Sequence, residues 1–246
     1  MRVMKAGGEL LAADDSRRWV AEQVRDAASD GPVVFVHGGG PQLDAACVAA
    51  GLESPRVAGR RVTSPEVLEL AIGTWRGHGS VGWVAALARV GLRAVGLCGL
   101  DGGLLLAVRR PAEPVDYGAV GDLVEVRTDV LVPLLEAGFV PVVSPLAGTA
   151  GAEVLNVNAD TVAARLAVAL GAQALTLLTT AAGIRSDPHD PATVVPETDL
   201  AGLQAMRAAG TLQGGMLPKA AAVEAALRGG VSEVQVGGTR IVFKPD

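Results

Sequence analysis

The sequence has few cysteines, few aromatic residues and no basic cluster, and each shortage narrows the possible functions. Cys47 and Cys98 lie far apart, outside any CxxC or Cys/His spacing, which argues against disulfides or a structural metal site and for a reducing compartment. Net charge is −5 and Lys and Arg come at most in pairs such as Arg60-Arg61, so we expect no nucleic-acid partner. Seven aromatics (three Phe, three Trp, one Tyr) beside 32 glycines indicate a biased genome, so glycine frequency alone carries no argument.

The sequence also lacks a convincing membrane or export segment. Residues 166–184 carry no charge, but Gly171, Gln173 and three threonines divide them into a helix end, a turn and a buried strand. Residues 1–11 contain no apolar run of signal-peptide length. We therefore expect a cytoplasmic protein without a membrane partner.

The 246 residues are half apolar, which is enough for a sizeable core. Apolar β-branched runs alternate with helical patterns and no linker interrupts them. This predicts an α/β fold, a three-layer αβα sandwich around a mainly parallel open sheet that we expect to be continuous. We treat 1–246 as a single domain with an N-lobe of about 1–150 and a C-lobe of about 151–246.

The most informative stretch is Phe35–Gln42, where a buried-strand pattern leads into Gly38-Gly39-Gly40 and a helix that begins with Pro41. A strand, a glycine turn and a helix aim free N–H groups and the positive end of a helix dipole at one point. The first strand ends similarly at Gly7-Gly8. Because parallel strands end at one sheet edge, these patterns predict an anion site there.

Two further patterns combine charge with an expected helix start. Asn156-Val-Asn-Ala-Asp160 is expected to open a helix to Leu170, and Gly214-Gly-Met-Leu-Pro-Lys219 to open one to Arg228. A cation in a first helical turn is unfavourable by some tenths of a kcal/mol unless an anion shares the site. Lys219 is therefore a candidate anion ligand. Gly77-His-Gly-Ser-Val-Gly82 matches a dinucleotide fingerprint, but it follows a helical pattern instead of a strand.

Seven motifs follow one another along the chain. They are Lys5-Ala-Gly-Gly8, Val36-His-Gly-Gly-Gly-Pro41, Gly59-Arg-Arg-Val-Thr63, Ala94-Val-Gly-Leu-Cys-Gly-Leu-Asp101, Asp116-Tyr-Gly-Ala-Val-Gly121, Asn156-Val-Asn-Ala-Asp160 and Gly215-Met-Leu-Pro-Lys219. In this order they resemble the amino-acid kinase family over essentially the whole chain. The resemblance is strongest to members that transfer the γ-phosphoryl group of MgATP to the γ-carboxylate of N-acetyl-L-glutamate in arginine biosynthesis.

The resemblance implies an acceptor in the N-lobe and ATP with its Mg²⁺ in the C-lobe, without a protein metal site. It assigns catalytic roles to Lys5, Lys219 and Asp160. It assigns acceptor binding to Gly39, Gly40, Arg61 and Asn156, and nucleotide binding to Gly8, Thr179, Gly183, Gly215 and Met216. A γ-carboxylate is already ionised at neutral pH, so the reaction needs positioning and charge neutralisation but no catalytic base.

The resemblance leaves alternatives open, and the chain departs from the family pattern at several positions. A kinase for aminoadipate or glutamate held on a carrier protein is the rival within the fold, and a catalytically weak ligand-binding regulator is the rival of another class. The nucleotide-lobe strand of the family commonly has an aspartate where Thr180 stands. No additional helix precedes Lys5, so the resemblance implies a homodimer that arginine does not inhibit.

Overall fold

The computed structural model describes residues 1–243. The strands are β1 (Arg2–Ala6), β2 (Val33–His37), β3 (Arg56–Val57), β4 (Arg60–Arg61), β5 (Ala94–Leu97), β6 (Leu105–Arg109), β7 (Gly121–Val126), β8 (Val140–Val143), β9 (Leu146–Gly148), β10 (Val154–Asn156), β11 (Ala174–Leu178), β12 (Glu197–Asp199), β13 (Glu233–Val236) and β14 (Thr239–Val242). The α-helices are α1 (Asp14–Ser29), α2 (Gly40–Ala49), α3 (Pro65–Ala71), α4 (Ser80–Arg89), α5 (Leu131–Glu136), α6 (Ala159–Ala169), α7 (Leu200–Ala208) and α8 (Met216–Arg228).

The central sheet has eight strands in the order β12-β14-β13-β11-β1-β2-β8-β5. The run from β13 to β5 is parallel throughout, whereas β14 is antiparallel to β13 and β12 follows the direction of β14. In the middle of the sheet, Lys5 of β1 is in register with Val36 of β2 and Leu177 of β11. The carboxyl ends of these three strands therefore share one edge, as the sequence predicts.

Both faces of the sheet are covered. Val3 belongs to a core cluster that includes buried residues of α6 and α8, whereas Met4 belongs to a second cluster that includes residues of α1 and α4. This alternation along one fully paired strand is what a sheet between two helical layers requires. The predicted three-layer α/β sandwich is confirmed. No helix among residues 1–243 is long and apolar enough to cross a bilayer.

The expectation of a single continuous sheet is wrong. A second sheet has the order β10-β9-β6-β7, and β3 with β4 forms a separate hairpin. Within the second sheet, β6 and β7 pair antiparallel. Leu105 and Ala107 of β6 are buried in the cluster that also contains Val3 and Val34 of the central sheet. Burial of this apolar face against the main core explains why the pair does not extend the edge of the central sheet.

The helix expected to begin at Asn156 begins later. The Asn156 N–H donates to the Ala119 carbonyl at 2.9 Å, which keeps this residue in extended pairing at the end of β10. Asn158 is the N-cap, and its side-chain oxygen accepts from the Thr161 N–H at 3.0 Å. The correction places Asp160 in the first turn of α6 and Asn156 on the strand before it.

The helix that begins after Ser64 changes its hydrogen-bonding pattern partway along. The Ser64 side chain caps α3 by accepting from the Val67 N–H at 3.3 Å. Helix α3 then passes through a π-helical segment, Ile72–Gly79, into α4. The glycine-rich stretch 77–82 lies entirely on helix, so it has no strand-to-helix context for dinucleotide binding. π-Helical segments occur frequently at functional sites.

Candidate active site

The two glycine turns meet at the carboxyl edge of the central sheet. The Gly38 N–H donates to the Ala6 carbonyl at 2.8 Å, and the Gln42 side-chain amide donates to the Gly8 carbonyl at 2.7 Å. A Cβ on Gly8 would lie 2.7 Å from Gly39 Cα and 2.9 Å from Gly40 N. The turns are in backbone contact, so only glycine fits at position 8.

Two side chains from the π-helical segment and the start of α4 support the second turn. The Trp75 indole N–H donates to the Gly39 carbonyl at 2.9 Å. His37 Nε2 lies 3.1 Å from Ser80 Oγ, and the ring is fully buried. Burial lowers the pKa of His37 to about 4, so the imidazole is neutral at neutral pH. His37 acts in the framework of the turn and is not placed to exchange protons with a ligand.

Two lysines from opposite ends of the chain bind one carboxylate. Lys5 Nζ lies 2.8 Å from Asp160 Oδ1, and Lys219 Nζ lies 3.2 Å from Asp160 Oδ2. Lys5 comes from β1, Asp160 from the first turn of α6, and Lys219 from the first turn of α8. The three residues proposed as catalytic from the sequence are therefore brought together, with side chains at most 15% exposed.

The electrostatics of this triad leave an excess of positive charge. Burial acts to raise the pKa of Asp160, but the charges of Lys5 and Lys219 outweigh it, so the pKa is lowered and the carboxylate stays ionised. Burial and the neighbouring Lys5 together lower the pKa of Lys219 below 10.5, and Asp160 offsets only part of this effect. Two cations share one anion, and a bound phosphate would supply the missing negative charge.

A cleft with a volume of about 170 Å³ adjoins the second glycine turn. Its lining is Gly38, Gly39, Gly40, Arg56, Gly59, Arg60, Arg61, Trp75, Val120, Pro145, Asn156, Val157, Asn158 and Ala159. All four residues assigned to acceptor binding from the sequence are in this lining. The wall combines helix-start N–H groups, guanidinium groups and amides, which is a donor set for an anionic ligand.

Arg61 and Asn156 already have partners inside the protein. Arg61 pairs with Asp44 at 2.6 Å and donates to Ser54 Oγ at 2.7 Å. Burial acts to raise the pKa of Asp44, but hydrogen bonds from the arginines of the cleft reverse this and lower it. Asn156 Nδ2 donates to the buried Thr63 hydroxyl at 3.0 Å. A carboxylate ligand of Arg61 would compete with, or share, the contacts to Asp44.

A second cleft of about 190 Å³ lies beside the N-terminus of α8. Its lining is Ala181, Gly183, Arg185, Pro188, Thr211, Leu212, Gln213 and Met216. Gly183 has φ +158°, and a Cβ there would lie 2.6 Å from Thr239 Oγ1, so glycine is required. The structure thus brings Gly183 and Met216 together, whereas Thr179 and Gly215 are outside this lining. Thr180 is exposed beside it.

The lining of the first cleft also contains residues that were not assigned to the site from the sequence, among them Arg56, Trp75 and Asn158. For Asn158 a signal existed, because an asparagine two residues before Asp160 fits an N-cap. Arg56 lies on β3 of the β3–β4 hairpin, and its guanidinium pairs with Asp44 of α2 at 2.8 Å. Trp75 follows an apolar helical pattern, and nothing in that pattern separates a cleft wall from a core residue.

The fold and site define an α/β protein whose carboxyl sheet edge carries two lysines, which share the Asp160 carboxylate, and a pair of contacting glycine turns. The chain belongs to the amino acid kinase family, whose model matches residues 1–238. The acetylglutamate kinase of Myxococcus xanthus is 43% identical to this protein, and the alignment covers 95% of this chain and 80% of the relative's chain. The acetylglutamate kinase of Symbiobacterium thermophilum is 38% identical, and the alignment covers 95% of this chain and 82% of the relative's chain. The crystal structure of smu.665 from Streptococcus mutans UA159 has a TM-score of 0.87 at 24% identity, with 98% of each chain covered. The resemblance inferred from the seven motifs is confirmed.

Proposed function

We propose that this protein is an ATP-dependent kinase that phosphorylates the γ-carboxylate of N-acetyl-L-glutamate, giving N-acetylglutamyl phosphate for arginine biosynthesis. The acetylglutamate kinases of Myxococcus xanthus and Symbiobacterium thermophilum support this acceptor. The observation that carries the proposal is the Lys5–Asp160–Lys219 arrangement at the paired glycine turns. It offers charge neutralisation for a phosphoryl group, which is the main requirement of this reaction class.

In the proposed reaction Lys5 and Lys219 neutralise charge that develops on the oxygens of the transferring phosphoryl group. Asp160 orients the two ammonium groups. The N–H groups of Gly8, Gly39 and Gly40 donate to phosphoryl and acceptor oxygens. A carboxylate acceptor is ionised at neutral pH, so none of the residues has to remove a proton. Catalysis then depends on position and fixed charge.

We propose that the N-lobe, about 1–150, provides most of the acceptor cleft and the C-lobe, about 151–246, the ATP cleft. Arg61 and Asn156 would bind the acceptor, with Asn156 contributed across the lobe boundary. Gly183 and Met216 would bind the nucleotide in the second cleft, and Thr179 and Gly215 would approach it from the adjoining turns. The apolar wall of this cleft, which includes Leu212 and Met216, suits a flat base.

ATP would bring Mg²⁺ with it. Among residues 1–243 there is no cluster of three His, Cys, Asp or Glu side chains that could hold a metal ion, and both oxygens of Asp160 are engaged by lysines. These residues fit an ion held mainly by phosphate oxygens and water. When bound, Mg²⁺ supplies further charge neutralisation on the phosphates.

We further propose a cytoplasmic homodimer. Cys47 and Cys98 are both free and buried, which suits a reducing compartment. The family resemblance supports the dimer. Light scattering of the purified protein would measure its mass, and a hexameric mass or inhibition by millimolar arginine would refute the proposed homodimer that arginine does not inhibit.

The test of function is a choice of acceptor. The protein is incubated with MgATP and either N-acetylglutamate or carrier-bound aminoadipate, and acyl phosphate is trapped with hydroxylamine. We expect a hydroxamate with N-acetylglutamate. A hydroxamate formed only with the carrier-bound substrate would replace the proposal by its rival. If no acceptor reacts and calorimetry detects no nucleotide binding, the result refutes the kinase proposal and favours the ligand-binding regulator.

A further inference from the structure

Trp75 makes a contact that the proposed mechanism does not use. Its indole N–H donates to the Gly39 carbonyl at 2.9 Å, and its ring covers Gly39, where a Cβ would lie 2.2 Å from the indole Cδ1. Trp75 is 5% exposed and also lines the first cleft. Trp75 therefore contacts both the second glycine turn and the space of the first cleft.

The Gly39 carbonyl determines where the next N–H points. This oxygen also accepts from the Leu43 N–H at 3.0 Å, so it is aligned with the axis of α2. In a trans peptide unit the N–H lies opposite the carbonyl. The Gly40 N–H therefore points out of the helix start, and among residues 1–243 it donates to no protein acceptor. It is free for an anion.

We infer that Trp75 is a positioning residue for the phosphoryl transfer: its indole N–H holds the Gly39–Gly40 peptide so that the Gly40 N–H stays aimed at the reacting oxygens. Trp75 belongs to the π-helical segment, which positions the indole ring against Gly39. Without the indole bond, only the Leu43 N–H holds the Gly39 carbonyl, and a single bond fixes this orientation less firmly because glycine restricts the backbone least. The inference rests on the proposed kinase function.

The chain offers a clean way to remove only this hydrogen bond. The protein has three tryptophans, and within residues 1–243 the indole of Trp75 is the one with a protein acceptor. The Trp83 nitrogen is buried without a partner, and Trp19 is 42% exposed. Replacing all three by 3-benzothienylalanine, which has sulfur in place of the N–H, therefore removes a single protein hydrogen bond and conserves ring shape.

We expect the substituted protein to phosphorylate N-acetylglutamate with kcat lowered about tenfold, less than the loss of a whole oxyanion donor. The KM for ATP and the melting temperature should stay close to those of the normal protein. Trp75→Phe should show the same split between kcat and KM. Trp83→Phe is the matched control, because it removes a buried indole without a hydrogen bond and should lower stability while kcat is retained.

Unchanged kcat in the benzothienyl protein would overturn the inference while leaving the kinase function intact. A fall in kcat of equal size in Trp83→Phe would also overturn it, since the loss would then follow core packing. If the unmodified protein produced no hydroxamate, the proposed function would fail instead.

Discussion

The Lys219 ammonium lies 3.2 Å from the Asp160 carboxylate. Lys219 is in the first turn of α8, where the helix dipole disfavours a cation. Its pKa is lowered, chiefly by burial and then by the charge of Lys5. Folding thus holds Lys219 in an unfavourable position that a bound phosphate would relieve. A charged residue in an electrostatically unfavourable position is a good candidate for a functional role, and it is not expected to contribute much to the stability of the fold.

The first prediction concerns Lys219→Ala. Turnover should fall by orders of magnitude, because the variant lacks a charge that we propose acts mainly in the transition state. The free energy of unfolding should change by less than about 1 kcal/mol, since relief of lysine desolvation offsets the lost ion pair and Lys5 still neutralises Asp160. Urea denaturation and the hydroxamate assay measure the two quantities. A melting temperature lowered by many degrees would mean that Lys219 is structural.

The second prediction concerns Asp160→Asn. This variant leaves Lys5 and Lys219 buried together without an opposite charge. Breaking a buried ion pair from one side costs about 3–5 kcal/mol, so both stability and turnover should fall. Asp122→Asn is the control, because Asp122 pairs with Arg110 while 45% exposed and should change stability by less than about 1 kcal/mol. Equal stability of the two variants would contradict the central role given to Asp160.

The third prediction is a pH dependence set by His37. Its pKa is about 4 in the folded protein, lowered by burial, against 6.5 ordinarily. Between these values the unfolded state binds more protons, so the free energy of unfolding rises with pH in that window. Stability from the neutral imidazole is complete above 6.5 and is lost as pH falls towards 4, in total about 3 kcal/mol.

The check is urea denaturation of the normal protein and His37→Gln at pH 7.5 and pH 4.5. The normal protein should lose more stability between the two pH values than the variant, by roughly 2 kcal/mol or more. Carboxylates titrate in both proteins, so the difference between them isolates His37. Parallel pH profiles would show that His37 does not cause the acid sensitivity.

The central fold was predictable because its signals are local. The run around Val36 and the glycines after it define a strand and its turn, and parallel strands place their ends at one edge. The second sheet was not predictable in this way. Whether β6 extends the main sheet or packs over it depends on the burial of Leu105 and Ala107 against distant strands, which no local pattern records.

The residues of the candidate site also differ in whether a local sequence signal indicates them. Lys219 stood out because a cation at a helix start contradicts the dipole, and Gly8 because a doubled glycine follows a strand. Trp75 gave no such signal, since its spacing is that of any core residue and its role depends on a π-helical segment. Asn156 lines the first cleft, but it lies on a strand and not at the helix start, because Asn158 two residues later fits the same capping pattern.

The fourth prediction tests the contact between the two glycine turns. In Gly8→Ala the new methyl group would meet backbone atoms at 2.7 Å and 2.9 Å, namely Gly39 Cα and Gly40 N. Backbone cannot rotate away as a side-chain end can, so the turns must separate, and the N–H groups that we propose donate to the phosphoryl group would move with them. A misplacement of this kind can cost about 100-fold in rate.

Gly73→Ala is the matched control for this change. Gly73 lies in the π-helical segment with open space where a Cβ would be, so alanine should be tolerated and should stabilise by up to about 1 kcal/mol. We expect kcat in the hydroxamate assay to fall strongly in Gly8→Ala and to be retained in Gly73→Ala, with melting curves confirming that both fold. Normal turnover in Gly8→Ala would show that the spacing between the turns does not affect catalysis. A folded protein with separated turns would then still place correctly the N–H groups that we propose donate to the phosphoryl group.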